Sequence, residues 1–274
     1  MEFPISVGVQ QASALSPLLF VYVMDAITRD LQKPVPWMLL YGDDRFGLKL
    51  NVKKTEYVTT DVTESSSIKV NGIELPRTAV FKYLGSAVAS DGKLMVEVNS
   101  RVSVAWSKWH SLTGVLCDKK IPEHFKSKIY RAVIRPVAMY GAECWPATKE
   151  VETRLSVMET KMPRWTAGVT RMDRIRNEAI RQKFGVAPIA DKMREARWRW
   201  YGHVLRGKED SVRKIGLNFE VIGKRPRGRP KQRWADTLRT DLKVADVHLN
   251  LALDRERWRH DIRIADPATK RDRR

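Results

Sequence analysis

Cysteine and long apolar runs are scarce in this sequence of 274 residues. Its two cysteines, Cys117 and Cys144, lie far apart with no secretory signal, so reduced thiols are expected rather than a disulfide framework. None of the five histidines has the Cys/His spacing of a zinc site. The apolar run from Leu18 to Met24 is too short to span a bilayer, and the N-terminus lacks the basic segment of a signal peptide. We expect an intracellular protein of the nucleus or cytoplasm, without a membrane partner.

Acidic residues are also outnumbered, but only in one part of the chain. Residues 1–98 carry 10 Lys or Arg against 11 Asp or Glu, whereas residues 99–274 carry 41 against 21. A field of one sign attracts polyanions. Lysine and arginine are also common on solvated helix faces, which is the alternative explanation. An excess this large and one-sided favours a nucleic-acid partner.

The apolar periodicity predicts an α+β protein. Up to residue 98 the pattern is mixed, and Asn71-Gly72 between alternating apolar residues predicts a hairpin. Helical spacing then dominates. One stripe runs from Val98 to Leu116, and another runs from Val151 to Trp165 after a possible cap at Thr148. Pro163 should stop or bend the second helix, and residues 170–173 read as a capping box for a further one.

Tyr41-Gly42-Asp43-Asp44 follows the apolar run 37–40. Adjacent carboxylates at the end of a strand can bind the divalent metals that nucleotide transfer requires, and magnesium prefers hard oxygen ligands. Gly-Asp-Asp is also an ordinary turn composition. The surrounding sequence therefore has to decide between a metal site and a plain turn.

Three other segments accompany this tetrapeptide in a definite order. Gly8 to Phe20 precedes it, with Ser16-Pro17 suited to begin a helix, and Phe46 to Glu56 and Phe81 to Ser86 follow it. Together the four segments resemble, in content and order, the boxes of reverse transcriptases from non-LTR (LINE-like) retrotransposons. Tryptophan- and arginine-containing segments continue the resemblance towards the C-terminus.

The resemblance implies an RNA-directed DNA polymerase that uses Mg²⁺. Asp43 and Asp44 would be the catalytic pair, with Asp43 the metal ligand, and Gln11 and Lys54 would act on the nucleotide and template side. The implied partners are an RNA template, a DNA primer or duplex DNA. The implied architecture is a partial palm over residues 1–98, a helical thumb-like region over 99–160, and a basic helical region over 161–274.

Two departures from the family pattern predict an inactive copy. The family carries its first catalytic aspartate on a strand well before the first of these boxes, whereas here seven residues precede Gly8. A strand and a helix separate the family's two middle boxes, whereas here Arg45 alone lies between Asp44 and Phe46. We expect a truncated and internally deleted reverse transcriptase remnant without polymerase activity. The alternatives are a non-catalytic nucleic-acid-binding protein and a non-functional translated pseudogene.

The linker at residues 223–231 is the second candidate site. Its prolines and glycine exclude a regular helix, so it should be extended and solvated. Arg227-Gly228-Arg229-Pro230 resembles an AT-hook, and arginines suit the narrow minor groove of A·T-rich DNA. Arg225, Arg227, Arg229 and Lys231 are therefore the candidate nucleic-acid-binding residues. A plain charged linker is the alternative.

Overall fold

The structure is a computed structural model that describes residues 52–59, 67–70, 72–83, 85–209, 211–218, 227–228 and 232–267. These residues divide into two units. The first contains the described residues 52–57, 67–70 and 72–78. The second contains residues 58–59 and the described residues from 79 onwards.

The first unit contains the predicted hairpin. Strands β1 (Lys69–Val70) and β2 (Ile73–Glu74) pair antiparallel, with Val70 opposite Ile73. Gly72 has a φ of 77°, a left-handed conformation that glycine adopts without steric cost, which explains the Asn-Gly signal. A 3₁₀ turn, Val52–Lys54, precedes the hairpin.

The second unit begins with strands β3 (Val80–Tyr83) and β4 (Ser86–Ala89), which also pair antiparallel, and then becomes helical. Its helices are α1 (Met95–Ser111), α2 (Thr113–Leu116), α3 (Glu123–Ile129), α4 (Arg135–Ala138), α5 (Lys149–Thr166), α6 (Asn177–Phe184), α7 (Ile189–Leu205), α8 (Val212–Leu217), α9 (Trp234–Ala245) and α10 (Arg255–Asp261). A π turn, Tyr130–Ile134, connects α3 directly to α4, and 3₁₀ turns cover Ala142–Cys144 and Leu249–Leu253. The α+β class is confirmed.

Two apolar clusters hold the second unit together, and helix α7 contributes to both. The first cluster packs α1, α4 and α5 around Trp109, Tyr130 and Leu155, and it receives Met193 from α7. The second packs α9 and α10 against Trp198 and Tyr201 of the same helix. Burying large aromatic side chains contributes strongly to stability, so α7 links the two halves of this unit.

The predicted helical stripes are confirmed, but the second helix does not stop at Pro163. Thr148 caps α5 by accepting a hydrogen bond from the amide of Val151 at 3.5 Å. Pro163 does not end that helix, which continues to Thr166. Proline removes one hydrogen bond from a helix interior, and Pro163 is itself buried, so packing offsets the loss. The box at 170–173 closes a turn, because α6 begins only at Asn177.

Candidate nucleic-acid interface

The catalytic residues predicted from the boxes are not part of the described structure. Gln11, Asp43 and Asp44 lie outside the described residues, and Lys54 is described only by its backbone, at the end of the 3₁₀ turn. Within the described ranges, no group of three or more His, Cys, Asp or Glu is placed to bind a metal ion. The magnesium site at Asp43 therefore stays a prediction.

The basic linker is described at two residues. Arg227 and Gly228 are both exposed, and Gly228 has a φ of 115°. Only glycine adopts that conformation readily, so its position in the Arg-Gly-Arg-Pro segment has a backbone reason. Arg225, Arg229 and Lys231 lie outside the described residues.

The second unit places several of its carboxylates inside the fold. Glu159 of α5 is fully buried and accepts a hydrogen bond from the amide of Ile189 at 2.8 Å. Its oxygens lie 3.6 Å from Arg135 and 3.5 Å from Arg181. Burial raises the pKa of Glu159, and the guanidinium of Arg135 and the Ile189 amide offset part of this effect. This carboxylate joins α5 to α4, α6 and α7.

Arg135 also reaches Asp266, near the end of the described chain. The guanidinium donates to Asp266 at 2.9 Å, and the amide of Ala187 donates to the same carboxylate oxygen at 2.8 Å. Burial alone would raise the pKa of Asp266, but the Ala187 amide and the Arg135 guanidinium outweigh it and lower the pKa below its ordinary value. Asp266 is thereby fixed to the helical core.

Three further carboxylates are buried in the same way. Glu97 pairs with Arg101 at 2.6 Å, Asp241 pairs with the buried Arg197, and Glu195 is bound by Lys192 and Arg199. Burial lowers the pKa of Arg197, although Asp241 partly compensates for it. These carboxylates are therefore paired with basic side chains within the fold.

The second unit buries four basic side chains as well as these four carboxylates, so the basic excess of the composition remains at the surface. Among the described residues of the second unit, exposed basic side chains outnumber exposed acidic ones by 24 to 10. One row lies on α10, where Arg255 and Arg259 are four residues apart and both exposed. Arg206, directly after α7, has a lowered pKa because of burial and of the nearby charge of Arg255. Such rows suit a phosphate backbone.

A second basic surface follows helix α5. Residues 168–176, which we call the arginine loop, expose Arg171, Arg174 and Arg176. Arg164 holds this loop in place: it donates to the carbonyl of Thr170 at 3.0 Å and also to the carbonyl of Ile175. No ion pair involves the three loop arginines within the described part of the chain.

Trp165 lies beside this loop, and the sequence did not predict its exposure. The apolar stripe of α5 predicted it as core, but its side chain is 60% exposed whereas Met158 and Met162 are buried. Its ring contacts the buried Trp109 at 5.4 Å between centroids. The signal in the sequence was its place next to the helix end, a few residues before the closely spaced arginines of the loop.

Two comparisons with known proteins found no counterpart, and one found a relative. No family model matches the chain, and no solved structure matches it. The chain is similar to a transposon-derived protein of Caenorhabditis elegans, with 25% identity over 231 residues. The match covers 77% of this chain and 81% of that protein. Across the described ranges, no helix is long and apolar enough to cross a membrane.

Proposed function

We propose that this chain is a transposon-derived protein, a remnant of a LINE-like reverse transcriptase, that binds nucleic acid without polymerising it. Its similarity to a transposon-derived protein over most of both chains supports the origin. The four boxes, in order around Asp43 and Asp44, support the reverse transcriptase ancestry.

The observation that carries the binding proposal is the distribution of charge. The second unit exposes a large excess of lysine and arginine over aspartate and glutamate, and its four buried carboxylates are matched by four buried basic side chains. Each phosphate contacted by such a side chain releases counterions from the nucleic acid, and that release drives association. Binding of this kind needs no catalytic metal.

Loss of polymerisation rests on the spacing around Asp44. Two-metal transfer needs carboxylates held rigidly against both ions. Because Phe46 follows after a single residue, the sequence contains no returning strand to pair with the Asp-Asp strand, and a lone strand edge is left without hydrogen bonds. Purified protein should extend no primer on an RNA template with Mg²⁺ or Mn²⁺. Extension that disappears in Asp43→Ala would refute this proposal and restore the magnesium site.

Salt dependence tests the binding proposal directly. The affinity of the full chain for a duplex should fall steeply with salt, and joint replacement of Arg225, Arg227 and Arg229 by alanine should reduce the log–log slope by up to about 3. If this segment also works as an AT-hook, the same variant should lose any preference for A·T-rich over G·C-rich duplex.

A matched control removes equal charge from elsewhere. Lys119, Lys120 and Lys149 are exposed, so replacing all three by alanine changes the net charge by the same amount. A smaller effect on the slope is expected from this control. If both triple variants behave alike, net charge and not the linker determines affinity. If the chain binds neither DNA nor RNA at about 100 mM salt, where the Debye length is about 10 Å, a non-functional remnant is the correct description.

A further inference from the structure

We infer that Trp165 and the arginine loop form a binding site for single-stranded nucleic acid, in which an unstacked base lies on the indole and phosphates contact the loop arginines. This inference rests on the proposed function and specifies the strand state of the ligand and the residues that recognise it.

The indole is both exposed and supported from beneath. Trp165 contacts the buried Trp109 at 5.4 Å with an interplanar angle of 61°, and the ring of His110 lies 6.5 Å away. This backing limits the motion of the side chain while 60% of it remains accessible. A rigid, exposed aromatic ring loses little entropy when a base stacks on it, and stacking accepts any base because every base has a π-face.

The backbone of the arginine loop is fastened by hydrogen bonds to the residue that precedes this ring. Arg164, the residue before Trp165, binds the carbonyls of Thr170 and Ile175 and the side chain of Asn177 at 3.0 Å. Both ends of the arginine loop are therefore tied to the neighbour of the indole. Arg174 has a φ of 50°, a left-handed conformation that is unfavourable for a residue with a Cβ, and the bonds of Arg164 to the flanking carbonyls help to maintain it.

The charge around the ring is predominantly positive. Residues 160–176 contain five basic side chains and one acidic side chain, Asp173. The amide and hydroxyl of Thr170 both donate to Asp173, at 2.6 and 2.8 Å, and these bonds lower the pKa of Asp173. Lys161 lies exposed one turn before Trp165. An exposed indole within a positive field fits a polyanion with exposed bases better than it fits an apolar peptide.

Duplex nucleic acid cannot use this combination fully. The bases of a duplex are already stacked on one another, so only its phosphates are available to this site. A single strand offers phosphates to the loop arginines and an unstacked base to the indole. The site should therefore add a base-dependent preference for single strands to the general basic surface, and Trp165 should carry that preference.

Two substitutions at one position separate stacking from packing. Trp165→Leu keeps apolar cover over Trp109 but removes the aromatic face, whereas Trp165→Phe keeps both. The probes are oligo(dT), oligo(U) and an abasic phosphodiester chain, each about 12 nucleotides long, within the usual range of about 4–16 for a single-strand site. The two base-containing probes show whether DNA or RNA is preferred.

Trp165→Leu should weaken binding of the base-containing strands about 5- to 150-fold, the usual range for loss of one stacked base. Its affinity for the abasic chain and its salt slope should be unchanged, because no charge is removed. Trp165→Phe should retain most of the affinity. Replacing Arg171, Arg174 and Arg176 by alanine should instead reduce the single-strand salt slope by up to about 2.

Each other outcome is decisive. If Trp165→Leu binds every probe as the wild type does, the stacking site is refuted while the general binding proposal stands. If Trp165→Leu loses as much affinity for the abasic chain as for the base-containing strands, Trp165 serves packing alone. The same conclusion follows if the loss of affinity is matched by a lower unfolding temperature of this variant. If the wild-type chain binds none of the probes and no duplex, the proposed function fails together with this inference.

Discussion

The contact between helices α7 and α10 depends on a glycine. A Cβ atom built at Gly202 would lie 2.5 Å from Nε1 and 2.8 Å from Cδ1 of Trp258, and 2.9 Å from Nη1 of Arg206. Trp258 has no exposed surface, and its indole donates to the carbonyl of Trp198 at 3.0 Å. Gly202→Ala therefore cannot be accommodated without moving a buried tryptophan.

The magnitude follows from three effects. Alanine in a helix stabilises by up to about 1 kcal/mol over glycine. Overpacking a filled core costs about 1–3 kcal/mol, and a displaced indole that leaves its buried N–H without an acceptor costs about 1–3 kcal/mol more. We expect Gly202→Ala to lower the free energy of unfolding by about 2–4 kcal/mol, because the two unfavourable effects exceed the gain in propensity.

A second glycine supplies the matched control. Gly216 lies in α8, and a Cβ atom added there would meet nothing within 4 Å, so Gly216→Ala should be neutral or stabilise by up to about 1 kcal/mol. Urea unfolding followed by near-ultraviolet circular dichroism measures both variants. Gly202→Ala should also cost less when Trp258 is phenylalanine, because residues in contact are not additive. Equal stability of the two alanine variants would refute the proposed close contact.

Three further predictions concern the buried polar network, which consists of Tyr130, Arg135, Glu159 and Asp266. Asp266→Asn should lower the free energy of unfolding by about 1–3 kcal/mol at neutral pH. Because the pKa of Asp266 is lowered in the folded state, the difference in unfolding free energy between wild type and variant should shrink as the pH falls below 3.8. A difference that stays constant with pH would contradict this. The pKa of Glu159 is raised by burial, so the stability of the wild type relative to Glu159→Gln should fall as the pH rises above 4.5. If that relative stability instead increases with pH, the charge of Arg135 outweighs burial. Tyr130→Phe should cost about 1 kcal/mol, because the hydroxyl bond to Glu159 is long at 3.5 Å; a thermal melt showing a loss above about 3 kcal/mol would mean that the hydroxyl holds the network together.

The buried ion pairs also show which arginines are not available at the surface. Arg135, Arg101 and Arg197 are buried with carboxylate partners. Removing one partner of such a pair is costly, about 3–5 kcal/mol, because the other charge is left buried. These arginines are therefore structural, and the nucleic-acid proposals rest on arginines that remain at the surface.

Local spacing in the sequence determined much of the fold. The hairpin around Gly72, the apolar face of α1 through Val98 and Trp109, and the Thr148 cap all depend on residues within a few positions of one another. Periodicity and turn chemistry act at that range, so these features could be predicted. The one-sided basic excess of residues 99–274 was likewise visible in the sequence alone.

Tertiary structure alone decided which of these residues are buried and which are exposed. Arg135 meets Asp266 across 131 positions, and Gly202 meets the indole of Trp258; no local pattern encodes either contact. Trp165 continues the apolar stripe of α5 yet stays exposed, because the helix ends one residue later and the arginine loop turns back there. Burial depends on neighbours distant in sequence, and it is burial that separates the structural arginines from those available to bind phosphate.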